Sequence, residues 1–209
     1  MVLALTVVIL ILSIIAHEVS HGYAADALGD KTARYAGRLT LNPIPHIDPV
    51  GSILLPALLI FSGSPILFGW AKPVPYNPYN LQSKRWGEFI VAIAGAATNI
   101  ILAIIFGLLV RFGAPLGLPP AMLLLAGSIS FVNLFLGMFN LIPFPPLDGF
   151  TALRAALPWH LAKGLNNFEH ILRGMGPVAL IAFLLVFSYV LANPFFLLVS
   201  FVSRLIIGS

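Results

Sequence analysis

Cysteine is absent from all 209 residues, which excludes disulfides, thiolate metal ligands and cysteine nucleophiles. Any metal site must be built from His, Asp or Glu. Charge is scarce as well: Asp, Glu, Lys and Arg make up 9% of the chain, against about 25% in an ordinary soluble domain. With 59% hydrophobic residues, the chain cannot cover a water-facing surface with polar groups, and lipid is the solvent its composition fits. The net charge of +4 is small, and no basic cluster is interleaved with aromatics, so nucleic acid is not an expected partner. No Lys or Arg precedes the first apolar run and no small-residue cleavage site follows it, so that run reads as a retained span and not as a signal peptide. There is no internal repeat, no low-complexity tail and no inserted soluble domain. One integral-membrane domain over residues 1–209 is expected.

What is present is a series of apolar stretches. The first covers residues 2–28 and stops at Gly29 and Asp30. Residues 30–49 are polar and hold Lys31, Arg34 and Arg38; Pro43, Pro45 and Pro49 forbid a regular helix there, while the alternation around 35–41 allows a short strand. Residues 53–70 are apolar but interrupted by Pro56 and by Ser62-Gly63-Ser64-Pro65, and a proline-rich loop follows over 72–78. Residues 88–112 and 121–142 read as apolar helices, 150–175 as an amphipathic stretch, and 177–207 as one kinked span or a helical hairpin around Asn193-Pro194. The expected fold is an all-α polytopic membrane protein. It has about four to six membrane helices, a re-entrant segment at about 51–70 and short β-strands at the membrane edge.

The first span contains His17-Glu18-Val19-Ser20-His21. Histidines four apart on a helix point the same way, one turn apart, and their imidazoles can hold one metal ion. Glu18, beside the first of them, can reach water at that metal and act as its base. Ionisable groups inside an apolar membrane helix default to function, because an unpaired charge there costs about 2.5–3.5 kcal/mol. A catalytic zinc site takes a third protein ligand, from Asp, Glu or another His. Asp148 stands out, being the carboxylate of the proline-rich break Asn140 to Gly149 that follows a span. Non-helical backbone at that depth must line a cavity or be buried in protein. Its other reading is a cap on the helix starting near Phe150. His46, near Asp48, reads as a surface or turn residue or as part of the entrance, and His160 and His170 as interfacial.

The motifs His17-Glu18-Val19-Ser20-His21, Gly95-Ala96-Ala97-Thr98-Asn99 and Asn140 through Gly149, in that order, resemble the site-2 protease family of intramembrane zinc metalloproteases. The likeness is to its compact prokaryotic members without a PDZ domain, as in His46-Ile47-Asp48-Pro49 and the stretch from Phe68 to Pro75. The resemblance implies one zinc ion per chain on His17, His21 and Asp148, with Glu18 as general base. It implies hydrolysis of peptide bonds in or near transmembrane segments of membrane proteins, as in regulated intramembrane proteolysis. It also implies that Asn140 contacts the substrate backbone or the oxyanion, which a side-chain amide near a metal can do; its other role is a helix-end hydrogen bond. Gly95 and Asn99 read as a close-packing site and an interhelical hydrogen bond. The chain departs from the family's common form in having Ala96, not proline, after Gly95. The implied partners are a transmembrane protein substrate and the lipid bilayer, with a regulatory membrane protein and self-association left open. Two competing readings are a metal or ion transporter, which has no need of Glu18, and an inactive membrane scaffold, which has no need of the full set.

For His17, His21 and Asp148 to meet, an even number of crossings must separate the ends of the first span and of 121–142. One of the three intervening apolar stretches therefore does not cross, and the Gly63-Ser64-Pro65 break selects 53–70. Lys31, Arg34, Arg38, Lys72, Lys84, Arg85, Arg154, Lys163 and Arg173 then share one side, with Arg111 on the other and Arg204 on a side that depends on whether 177–207 is a hairpin. That asymmetry marks the cytoplasmic side of a multi-pass cell-membrane protein, with its N-terminus outside and its site nearer the cytoplasm. Cysteine substitutions near Ser64 are expected to react with an impermeant thiol reagent from the cytoplasmic face alone; labelling from outside counts against the re-entrant reading.

Overall fold

The computed structural model describes residues 2–54, 57, 58, 61 and 71–208. Its helices are α1 (Val2–Ala27), α2 (Thr32–Tyr35), α3 (Lys84–Gly113), α4 (Pro120–Asn140), α5 (Asp148–Ala156), α6 (Trp159–Gly174), α7 (Pro177–Val186) and α8 (Ala192–Ile207). Among the described residues, four helical runs are long and apolar enough to cross a membrane: Leu5–Ala27, Arg85–Gly113, Pro120–Asn140 and Val178–Ile207. The last joins α7 to α8 through a π-helical turn, Phe187–Leu191. It is one broken run and not a hairpin. Pro194 has no N–H for the preceding turn, and the wider turn just before it absorbs the break. Proline also sets the starts: Pro120 and Pro177 occupy first-turn positions, where the missing N–H is not needed.

The spans lock together through small and polar residues. α1 lies antiparallel to α3, with Ser13 beside Asn99 and His21 beside Val91. α3 lies antiparallel to α4, with Ser130 Oγ donating to Ala103 O at 2.7 Å and Asn99 bonded to Asn133. Ala103, Leu134 and Val199 form a core between α3, α4 and α8. Phe139 of α4 packs on Phe183 and Phe187 beside it.

No strand occurs among the described residues, which corrects the expectation at 35–41. Tyr35 closes α2, and the next amides are spent locally: Gly37 N–H bonds Arg34 O and Arg38 N–H bonds Ala33 O. Of the expected re-entrant segment, 51–54 belong to a π-helical turn, Pro49–Leu54, in which Asp48 Oδ1 accepts the Val50 and Gly51 N–H groups. The remainder, apart from 57, 58 and 61, lies outside the described residues.

Asp30 ties the end of α1 to the loop before α3. It is fully buried. Its carboxylate accepts from the Thr32 N–H and hydroxyl, the Asn77 N–H and the Asn80 amide. Burial alone would raise its pKa; these donors outweigh burial and hold it below the ordinary carboxylate value. A group so lowered stabilises the fold above its unfolded pKa of about 3.9, and that contribution is lost as pH falls through the folded value. Asp30→Asn is expected to lower the melting temperature near neutral pH, and the gap to wild type to narrow below about pH 4; thermal melts against pH check it.

Candidate metal centre

His17 and His21 are buried on one face of α1, with ring centroids 4.7 Å apart. Asp148 is the first residue of α5, and Leu147, not Asp148, occupies the capping position before it. The Asp148 carboxylate turns instead to the histidines: its Oδ2 lies 2.9 Å from His17 Nε2 and 3.4 Å from His21 Nε2. The two Nε2 atoms are 3.1 Å apart. α5 is held in place at its other end by Arg85, which donates to the carbonyls of Ala155 and Ala156. A cation there also suits the negative end of the helix dipole. Arg154 pairs with Glu88 of α3 and Glu169 of α6.

The outer nitrogens decide what the inner ones can do. His17 Nδ1 faces Asn99 Oδ1 at 2.6 Å. The Asn99 amide nitrogen is committed to Asn133 Oδ1 at 2.8 Å and Ser13 O at 3.3 Å, so its oxygen faces His17 and Nδ1 carries the proton. His21 Nδ1 likewise donates to Val91 O at 2.7 Å. In the neutral rings each Nε2 then presents a lone pair. Asp148 Oδ2 is buried and receives no hydrogen bond among the described residues. Two imidazole lone pairs and a carboxylate oxygen that converge with no proton between them repel one another unless a cation lies among them.

Space is provided for it. A β-carbon at Gly95 of α3 would lie 2.5 Å from His21 Nε2 and 2.7 Å from His17 Nε2. Gly149 serves close approach in a different place: a β-carbon there would overlap the Leu141 carbonyl, so only glycine lets α5 fold back on the end of α4. Its φ is not positive, so close approach, and not a left-handed backbone, is what requires glycine there. Two His nitrogens and one carboxylate oxygen, with outer partners orienting both rings, are a donor set that fits zinc.

Glu18 is half-buried beside this cluster, and its Oε2 accepts the Val74 N–H at 2.9 Å. Asn140 lies outside the cluster and donates to Leu136 O of its own helix at 3.0 Å, the helix-end bond of its other reading. His160 and His170 are exposed on α6. His46 departs from the surface reading: it is 2% exposed. Sequence reasoning missed Ser13 and Asn133, whose own bond, Asn133 Nδ2 to Ser13 Oγ at 2.9 Å, closes the network behind His17. A polar side chain in an apolar span was the available signal. The Val91 carbonyl and Val74 N–H belong to the backbone and carry none. Asn99→Ala is expected to weaken divalent-metal affinity about 10–100-fold, read by chelator competition, with helix content retained.

Residues 120–184 match the model of peptidase family M50. The chain is 42% identical over 159 residues to the Bacillus subtilis protein named "Putative zinc metalloprotease YwhC", covering 73% of this chain and 68% of that one. It is 33% identical over 152 residues to the Mycolicibacterium smegmatis "Putative zinc metalloprotease Rip2", covering 70% and 55%. It thus spans two thirds of the Bacillus protein and just over half of the mycobacterial one. No solved structure matches. The names of these relatives agree with the donor set that α1 and α5 bring together, and the chain belongs to peptidase family M50, the site-2 protease family.

Proposed function

We propose that the chain is an intramembrane zinc metalloprotease that cleaves peptide bonds in or near transmembrane segments of membrane proteins. One zinc ion per chain would be held by His17, His21 and Asp148, with Glu18 as the general base. The observation that carries this reading is the convergence of three lone-pair donors, within 4.8 Å of one another, beside a carboxylate on an apolar span. Three protein ligands leave one position of a four-coordinate site open. Zinc bound there supplies a Lewis acid that polarises a carbonyl and acidifies water.

The protein's own groups do the rest. Asn99 and the Val91 carbonyl keep both rings in the tautomer that presents Nε2. Glu18 is anchored through Oε2, which leaves Oε1 to take a proton from water and return it to the leaving amine. The substrate must enter unwound, because a helical carbonyl is already hydrogen-bonded and shielded by its own turn. A substrate contact by Asn140 would require its amide to leave Leu136 O. The clustered basic residues support a cell-membrane protein with this site on the cytoplasmic half and the N-terminus outside. A transporter has no use for Glu18 between two ligands.

Elemental mass spectrometry of detergent-purified protein, paired with cleavage of a reconstituted single-span substrate, tests the reading. Wild type and Glu18→Gln are expected to carry one zinc per chain and Asp148→Ala less. Glu18→Gln is expected to lose about 10²–10⁴-fold in cleavage. A well-folded wild type that takes up no zinc when zinc is supplied would overturn it.

A further inference from the structure

Arg38, His46 and the loop Lys72-Pro73-Val74-Pro75 play no part in the metal centre, yet two buried side chains, Arg38 and His46, grip this loop, whose own buried residue, Val74, meets Glu18. Arg38 is 7% exposed and His46 2%. His46 Nε2 donates to Thr40 O at 2.8 Å, so Nδ1 of the neutral ring is an acceptor, and Arg38 Nη2 faces it at 3.4 Å. The same guanidinium nitrogen donates to Lys72 O at 2.7 Å. The His46 carbonyl accepts the Lys72 N–H at 2.9 Å. Lys72 is therefore gripped through both of its backbone groups. Pro73 then fixes φ at the next position. Val74, 6% exposed, is seated over α1 at Gly22, the residue after His21, where a β-carbon would come within 2.7 Å of its Cγ1. Between these two anchors the Val74 N–H has one direction, towards Glu18 Oε2 at 2.9 Å.

We propose that Arg38 and His46 are positioning residues for Glu18, acting through Lys72 and the Val74 N–H; this rests on the reading above in taking Glu18 as the base. A glutamate side chain on a half-exposed helix face swings about several single bonds. A donor that cannot move holds one carboxylate oxygen and thereby aims the other. Misplacement of a reacting group by about 1 Å costs on the order of 10²-fold in rate, so a base held only by its own rotamer preference would be slow.

The test uses the full chain in detergent, as wild type, Arg38→Met, Arg38→Lys, His46→Phe and Glu18→Ala. It reads amide exchange over residues 71–77, zinc content, and kcat and KM on the single-span substrate. Arg38→Met and His46→Phe are expected to speed exchange at Val74 and to lower kcat about ten- to a hundredfold, with KM and zinc per chain unchanged. Arg38→Lys, which still donates to the Lys72 carbonyl, is expected to recover most of kcat. A rise in KM at constant kcat would make the loop a substrate contact and overturn the proposal. So would a loss of zinc or of helix content in step with kcat, the mark of a merely structural role, and so would an unchanged kcat. A wild type that does not cleave fails the functional reading and takes the catalytic half of the proposal with it. Exchange then decides the latch alone: Val74 protection that survives Arg38→Met and Glu18→Ala overturns it.

Discussion

An imidazole N–H without an acceptor in an apolar interior costs several kcal/mol, and both imidazoles of α1 escape that cost through α3. His17 uses the Asn99 side chain and His21 the Val91 carbonyl, whose second lone pair is free beyond its helical bond. These two bonds dock α1 against α3, select the tautomer of each ring, and aim both Nε2 atoms at one point. Ser13, Asn99 and Asn133 extend the same buried polar layer into α4. Every member has partners, which is the condition under which a buried polar network strengthens a fold and does not weaken it.

The third donor arrives from the opposite direction. α4 ends in a proline-rich turn, α5 begins at once, and its first side chain points back at α1. That reversal is tight enough to exclude any side chain at Gly149, and the cradle is tight enough to exclude one at Gly95. Arg85 and Arg154 fasten α5 to α3. The carboxylate is thus carried on a short helix held at both ends, and preorganisation of this kind is what a metal site with fixed donors needs. Asp30 and the Arg38–His46 pair do comparable work on the polar side, joining the loops around α1 into one support.

Much of this was legible in the chain. The spans follow from the length of uninterrupted apolar sequence. His17, Glu18 and His21 follow from helical spacing combined with the cost of ionisable groups in hydrocarbon, and Asp148 from a break in helical backbone where such breaks need a reason. The strand expected over 35–41 did not form, because alternation licenses a strand only where a partner strand supplies the other half of each hydrogen bond. His46 was misjudged for a related reason. A histidine among prolines resembles a surface turn, and what buries it is Arg38 together with a loop that returns from residue 72.

By itself, the sequence determined the solvent, the helical class and the spans, and it singled out the side chains that the fold brings together, since these depend on composition, on spacing within one helix and on breaks between helices. The tertiary structure alone decided which nitrogen of His21 faces inward and which backbone amide holds Glu18. Those outcomes rest on carbonyls and N–H groups that every residue carries alike, so no side-chain pattern distinguishes them until the packed helices bring one of them to within hydrogen-bonding distance.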